Sequence, residues 1–122
     1  SVIGRLTGGN DGGYSDLNDV LRSSGGGGAG SPGLGGQAQY NDAGGEGRET
    51  SITGTVQMMA AGGGGFQSPG GSGIGGAGIY LNNGPDAWAS PPAPNTGSGG
   101  GAGYANKVEP GADGIVIVRV EV

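Results

Sequence analysis

The stretch GGGGFQSPGGSGIGGAG, residues 62–78, decides the fold, because glycine fills more than half of its positions. Glycine brings no side chain to a core and loses more conformational freedom on folding than any other residue. Buried amide and carbonyl groups must nevertheless find hydrogen-bond partners. A chain built in this way must therefore gain its order from backbone hydrogen bonds and close backbone packing. Further glycine-dense stretches lie at 8–13, 25–36, 44–47 and 97–103.

The same bias runs through the whole chain, which has 35 glycines and 7 prolines in 122 residues. Such a composition without a strict period is typical of low-complexity sequences. Two features favour order instead: the net charge of −5 causes little self-repulsion, and varied segments separate the glycine runs. The length suits one domain, 1–122, which we expect to be the C-terminal part of a longer fibre or surface protein.

Missing residue types exclude several classes of function. The chain has no cysteine and no histidine, which removes disulfides, thiolate chemistry, most zinc sites and the usual general base. Its five Lys and Arg residues are spread out, so nucleic acid is not an expected partner. No apolar stretch approaches the roughly 20 residues of a membrane span, so no membrane insertion is expected. The sequence predicts no enzyme, no catalytic residue, no cofactor and no metal site.

A period of three residues relates the glycines within several runs. Polyproline II helices repeat every three residues and contain no internal hydrogen bonds, so their amides bond to neighbouring chains or to water. Glycines at this spacing would form columns that face neighbouring backbones. The predicted structural glycines are Gly27, Gly30, Gly33 and Gly36; Gly70, Gly73 and Gly76; and Gly97, Gly100 and Gly103.

A period of two predicts β-strands elsewhere in the chain. Residues Ile115–Val122 alternate two faces, one of them entirely valine, and predict a C-terminal strand. Thr50–Ala60 predicts a middle strand and Val2–Leu6 a shorter N-terminal one, while Tyr14–Arg22 is a candidate short helix. The predicted fold class is mainly irregular or all-β: a bundle of glycine-rich polyproline II strands with a small β-sheet of N-terminal, middle and C-terminal strands. Loops packed on a β-sandwich are the alternative.

Three stretches carry a resemblance to a known family. Gly62–Phe66, Gly70–Gly78 and the closing Gly111–Val120 resemble the glycine-rich domains of phage tail fibres and adhesins, and of related bacterial surface proteins. The resemblance implies a rigid polyproline II sandwich or bundle, often in trimeric or tip-mounted proteins. It also implies that connectors between the glycine runs recognise a receptor. The proline-bearing connector Ile79–Thr96 departs from the family pattern.

Two motifs have ordinary explanations. The spacing G-x-G-x-x-G at 71–76 matches a dinucleotide-binding fingerprint, which requires a preceding strand and a following helix. Neither is predicted there, and a chain so rich in glycine produces such matches by chance. The oxygen-bearing side chains within residues 11–19 have the chemistry that calcium prefers, but not the spacing of a calcium-binding loop. We interpret them as solvated turn and cap residues.

Residues in the connectors are the candidates for recognition. Exposed aromatic side chains in loops often anchor contacts with sugars or proteins, and the alternative is that they cover a thin core or a neighbouring subunit. The candidate receptor-contact residues are Tyr40, Asn82, Asn83, Asp86, Trp88 and Tyr104.

Three functional hypotheses follow. The first is a non-enzymatic, extracellular receptor-binding tip domain of a phage tail fibre or cell-surface appendage, which binds a cell-surface glycan or an outer-membrane protein. The second is a structural, self-assembling fibre subunit, a homo-oligomer such as a trimer or filament, in which Val116–Val122 pairs with another chain. The third is ice binding by a flat polyproline II face, which the scarcity of regular threonine columns disfavours.

Overall fold

Regular secondary structure occupies little of the molecule. The computed structural model describes residues 9–14, 23–35, 42–80, 88–103 and 107–121. Within these ranges, strand β1 (Arg48–Thr50) pairs antiparallel with β2 (Gln57–Met59), and a single 3-10 turn spans Gly71–Gly73. The remaining described backbone is irregular, which confirms the predicted class of mainly irregular or all-β.

Hydrogen-bonded ladders join the glycine-rich segments, and their rungs advance by three residues on both sides. The amides of Gly26 and Ala29 donate to the carbonyls of Gly63 and Ala60, at 2.9 and 2.8 Å. A β-ladder advances by two residues, whereas polyproline II repeats every three. Gly70, with φ −73° and ψ 159°, has the backbone angles of that helix. The ladders therefore join strands of polyproline II type.

These strands run in both directions. In the ladder between segments 26–29 and 60–63, residue numbers increase along one strand and decrease along the other, so these strands are antiparallel. Between 61–64 and 99–102 the amides of Gly99 and Ala102 donate to the carbonyls of Ala61 and Gly64, and the numbering rises on both sides. The architecture is thus a mixed bundle.

The segment 60–65 lies at the centre of this bundle. The carbonyls of residues 60 and 63 accept hydrogen bonds from amides in segment 26–29, and those of residues 61 and 64 accept from amides in segment 99–102. The amides of residues 62 and 65 donate to carbonyls in segment 42–45. Residues 61–65 are all buried. Because a threefold helix aims successive residues in three directions, one strand can bond to neighbours on several sides, which a flat sheet cannot do.

Close approach of backbones explains why the central residues are glycine. A Cβ on Gly62 would lie well inside 3.0 Å of the carbonyl oxygen of Gly26, and one on Gly63 equally close to that of Gly100. Real Cβ atoms essentially never come so near another atom. Buried apolar side chains are correspondingly scarce: in the described part they are Ile79 and the small side chains of Ala61 and Ala89.

The first predicted glycine column lies against neighbouring backbone. A Cβ on Gly27, Gly30 or Gly33 would come within 3.0 Å of a carbonyl oxygen in an adjacent segment, and Gly36 lies outside the described residues. The three-residue spacing thus marks positions that a side chain could not occupy.

In each of the other two predicted columns, one glycine does not lie closely against neighbouring backbone. Four of their glycines also face backbone within 3.0 Å, namely Gly70, Gly76, Gly100 and Gly103. Gly73 has no atom within 4 Å of its Cβ position, and Gly97 has none closer than 3.9 Å. Both adopt positive φ, +69° and +67°, a conformation that favours glycine. The expectation of a packing contact at Gly73 is therefore wrong, because this glycine serves a turn.

The small sheet is composed differently from the prediction. Thr50–Ala60 is a hairpin rather than one strand, because the Gly54 amide donates to the Ser51 carbonyl at 2.9 Å and Gly54 has φ +95°. Residues 107–121 contain no strand in the described part. The predicted strand Val2–Leu6 and most of the candidate helix Tyr14–Arg22 lie outside the described residues.

The segment 107–113 instead adds another polyproline II strand. The amides of Ala112 and Glu109 donate to the carbonyls of Ser98 and Gly101, again at a step of three. The Gly97 amide donates to the Asp113 carbonyl at 3.0 Å, and this is the last rung towards the C-terminus in the described part. A period-two sequence forms a strand only where a partner offers a second row of amides and carbonyls.

Ser98 provides a test of the bundle interior. Its side chain is 1% exposed, its Oγ accepts from the Ala61 amide at 3.1 Å, and it shares a hydrogen bond of 2.8 Å with the Thr96 hydroxyl. Ser98→Ala would leave the buried Ala61 amide without its acceptor, so we expect a loss of about 1–3 kcal/mol of unfolding free energy in urea titrations. Ser90→Ala, at an exposed position, should be neutral. Equal losses in both variants would contradict this role of Ser98.

Candidate recognition site

Trp88 is the candidate contact residue that the described structure includes. Its side chain is 55% exposed, while the adjacent Ala89 is buried and donates its amide to the Lys107 carbonyl at 3.4 Å. The other candidates lie outside the described residues: Tyr40, Asn82, Asn83, Asp86 and Tyr104. The structure therefore presents Trp88 to solvent, and receptor contact by the six residues remains a prediction.

The backbone that carries Trp88 is fixed to the bundle. The amides of Ser90 and Ala93 donate to the carbonyls of Ala77 and Ile74, at 2.9 and 2.8 Å. These rungs again advance by three residues. A ring on a segment held in this way loses little further backbone freedom on binding, which favours affinity.

A proline-rich loop follows Trp88 and forms one wall of an open cleft of about 280 Å³. Pro91, Pro92 and Pro94 line this wall, and residues 109–113 line the other. The Thr96 hydroxyl donates to the Ala93 carbonyl at 2.7 Å and closes the turn. Since proline fixes its own φ, the loop has a defined shape.

The β1–β2 hairpin is a second exposed element, which the sequence did not reveal. Its turn residues 51–56 are all exposed, including the apolar side chains of Ile52 and Val56. A cavity of about 600 Å³ lies at its base, lined in part by Arg48, Glu49 and Met59. The Thr-Gly pair at 53–54 was the available sign of a turn.

Two serine side chains of the bundle serve its backbone. Ser68, fully buried, accepts from the Asp42 amide at 3.0 Å and donates to the Phe66 carbonyl at 3.3 Å. Ser72 accepts from the Gly47 amide at 2.9 Å and donates to the Glu46 carboxylate. These hydroxyls satisfy amides where the ladders are interrupted. They belong to the platform rather than to a ligand site.

The glycine motif at 71–76 lacks the setting that a dinucleotide-binding loop requires, and most of the oxygen-rich stretch 11–19 lies outside the described residues. The glycines at 71–76 lie in the bundle, where a 3-10 turn replaces the helix that a dinucleotide-binding loop requires. Among the described residues, no group of three or more acidic side chains could hold a metal ion. The described ranges also include no helix with the length and apolar character to cross a membrane.

The ladders, the backbone-facing glycines and the exposed connectors together define a glycine-rich, backbone-packed domain. Comparison with known families agrees, because the model of a glycine-rich domain matches residues 2–121. The chain belongs to this glycine-rich domain family, which confirms the predicted resemblance at that level. No curated protein and no solved structure shows significant similarity to the chain.

Proposed function

We propose that this domain is a non-enzymatic receptor-binding or adhesive tip domain of a phage tail fibre or surface appendage, acting outside the cell. One observation supports it most directly: glycine runs such as 61–65 are buried and hydrogen-bonded, whereas Trp88 and the hairpin turn 51–56 are exposed. The molecule is divided into a fixed platform and projecting connectors. That division suits recognition, because function commonly lies on loops held by a rigid scaffold.

Trp88 is the proposed anchor of the contact. A large, rigid aromatic ring buries much area at low entropic cost, and such side chains dominate binding energy at interfaces. The cleft that begins at Pro91, three residues further along the chain, is lined in part by Glu109, Asp113 and Asn95, whose side chains can form hydrogen bonds. Apolar and hydrogen-bonding groups side by side match the mixed surface of a cell-surface glycan or of a loop of an outer-membrane protein.

Absence of enzymatic activity is part of this proposal. The chain has neither histidine nor cysteine, the residues that most often serve as general base and as thiolate nucleophile. The proposed contact needs only complementarity of shape and polarity, and no bond is made or broken.

Trp88→Ala should weaken attachment to cells at least tenfold, because truncation of a central aromatic anchor commonly costs about 2 kcal/mol or more. The measurement is binding of fluorescently labelled domain to a panel of bacterial strains. The matched control is Tyr14→Ala, which removes an exposed ring from a different segment and should leave binding unchanged. Equal binding by Trp88→Ala and the unaltered domain would contradict the proposed anchor.

Two further arms identify the ligand class. A glycan array tests directly for a sugar receptor. Treating the cells with protease should abolish binding to an outer-membrane protein but leave binding to a cell-surface glycan intact. Absence of binding to every strain and glycan, together with long polymers in electron micrographs, would overturn the receptor-binding proposal in favour of a structural fibre subunit.

A further inference from the structure

The cavity of about 600 Å³ at the base of the β1–β2 hairpin has no part in the receptor contact proposed above. All three residues of β1 line it, and Met59, Ala29 and Ala60 add apolar groups. Binding sites for small molecules commonly have volumes of about 300–1,000 Å³ and combine an apolar lining with a few polar groups. The cavity shares none of its lining residues with the proline-walled cleft. It is therefore a separate candidate site.

The strand register determines which side chains face the cavity. Arg48 is paired with Met59, so these two side chains share a face of the hairpin, and Thr50 lies two residues further along on the same face. Met58 belongs to the opposite face, where its Cγ is 3.1 Å from the position that a Cβ on Gly47 would take. Arg48 is exposed, whereas Thr50 and Met59 are half-buried. The cavity face of the hairpin thus combines an accessible guanidinium with a hydroxyl and a thioether.

The charged groups at the cavity favour a ligand with a single carboxylate. The planar guanidinium of Arg48 has donors in a fixed fork, which matches carboxylate and phosphate groups. The neighbouring Glu49 also lines the cavity, and its carboxylate repels further negative charge. A phosphate monoester has a charge approaching −2 at neutral pH, so Glu49 disfavours it more than it disfavours a carboxylate.

The remaining lining suits the ring of a sugar. The Thr50 hydroxyl and the Glu49 carboxylate can form hydrogen bonds with ring hydroxyls. The thioether of Met59 and the methyl groups of the two alanines offer apolar surface to the C–H groups of the ring. We propose that this cavity binds a sugar acid, a pyranose ring with one carboxylate, which pairs with Arg48. This site goes beyond the receptor contact proposed at Trp88 and does not depend on it.

Titration with D-glucuronate, followed through the NMR shifts of the backbone amides, tests the site. The amides of residues 48–50 and 59–60 should shift. D-glucose, which lacks the carboxylate, should bind about tenfold or more weakly, the loss expected when a hydrogen bond between charged groups is removed. Arg48→Gln should weaken glucuronate binding to the same extent. The matched control is Arg119→Gln, which removes another exposed arginine and should leave binding unchanged.

Two further probes test the ligand class. Hexanoate keeps the carboxylate but lacks the hydroxyls, so it should bind more weakly than glucuronate. A glucose phosphate should also bind more weakly, and Glu49→Gln should improve its binding more than that of glucuronate, because the variant removes the repulsion.

Several results would overturn the proposal. They are the absence of amide shifts with glucuronate, equal binding of glucose and glucuronate, and unchanged binding by Arg48→Gln. Hexanoate binding as tight as that of glucuronate would overturn the sugar assignment. Matching circular dichroism spectra and melting curves establish that each variant is folded. Trp88→Ala should bind glucuronate like the unaltered domain, so this test and the cell-attachment test can fail independently.

Discussion

Gly78→Ala is expected to destabilise the fold severely, although it adds only one methyl group. A Cβ at this position would lie far inside 3.0 Å of the Gly65 carbonyl oxygen. No side-chain rotamer can relieve the clash, because both partners are backbone. The Gly65 segment is also hydrogen-bonded to several neighbours, so displacing it would break rungs in more than one ladder.

We expect the resulting loss to exceed about 4 kcal/mol, the range in which single substitutions are exceptional. A small domain has a total stability of about 5–15 kcal/mol, so a loss of this size removes a large share of it. Circular dichroism and urea titration of the purified variant measure the effect. Val or Ser at the same position should be no better tolerated.

Gly9→Ala is the matched control, because no atom lies within 4 Å of its Cβ position. Replacing glycine by alanine at an unstrained site commonly stabilises by about 0.4–1 kcal/mol, since it restricts the unfolded chain. The two substitutions should therefore have opposite signs. Similar stability of the two variants would show that close backbone packing does not hold this domain together.

The three-residue spacing allowed part of this architecture to be predicted. Polyproline II geometry repeats every three residues in any surroundings, so the column Gly27, Gly30 and Gly33 could be read from sequence. Gly73 and Gly97 keep the same spacing but serve turns with positive φ. The sign of φ depends on where the chain must reverse direction. The three-residue spacing of the glycines does not show where these reversals occur.

The strands and the site were harder to predict, because each depends on a partner. Alternation at 115–122 indicates a capacity to form a strand, but pairing requires an adjacent row of amides and carbonyls. The middle strand became a hairpin because Gly54 turns the chain. Trp88 could be named from its place in a connector, whereas its exposure follows from how 88–93 is bonded to 74–77.

The scarcity of large buried side chains has an energetic consequence for the sequence. Backbone order costs about 1–2 kcal/mol per residue, and more for glycine. In an ordinary domain, burial of apolar side chains offsets most of that cost. Here the ladders leave few central amides unsatisfied, and close-packed backbone atoms gain dispersion energy that a side-chain core would otherwise supply. The few large side chains in the interior should therefore matter individually.

Ile79→Ala is the second substitution for which we expect a large loss, about 2–5 kcal/mol of unfolding free energy. Ile79 is 1% exposed and is the largest fully buried side chain in the described part. Its amide donates to the Ala102 carbonyl at 2.8 Å, and its carbonyl accepts from the Gln67 amide at 3.0 Å. Neighbouring strands held by such bonds cannot collapse into the space that the side chain leaves, so the cost should lie in the upper half of the range.

Ile52→Ala is the control for this prediction, because it removes the same atoms from the exposed hairpin turn. It should change stability by no more than about 0.5 kcal/mol. Ile79→Val, which removes one methyl group, should cost about 0.5–1.5 kcal/mol and fall between them. Urea titrations of the three variants decide the matter: if Ile79→Ala is as mild as Ile52→Ala, the ladders alone hold the strands in place, and the buried isoleucine only fills space between them.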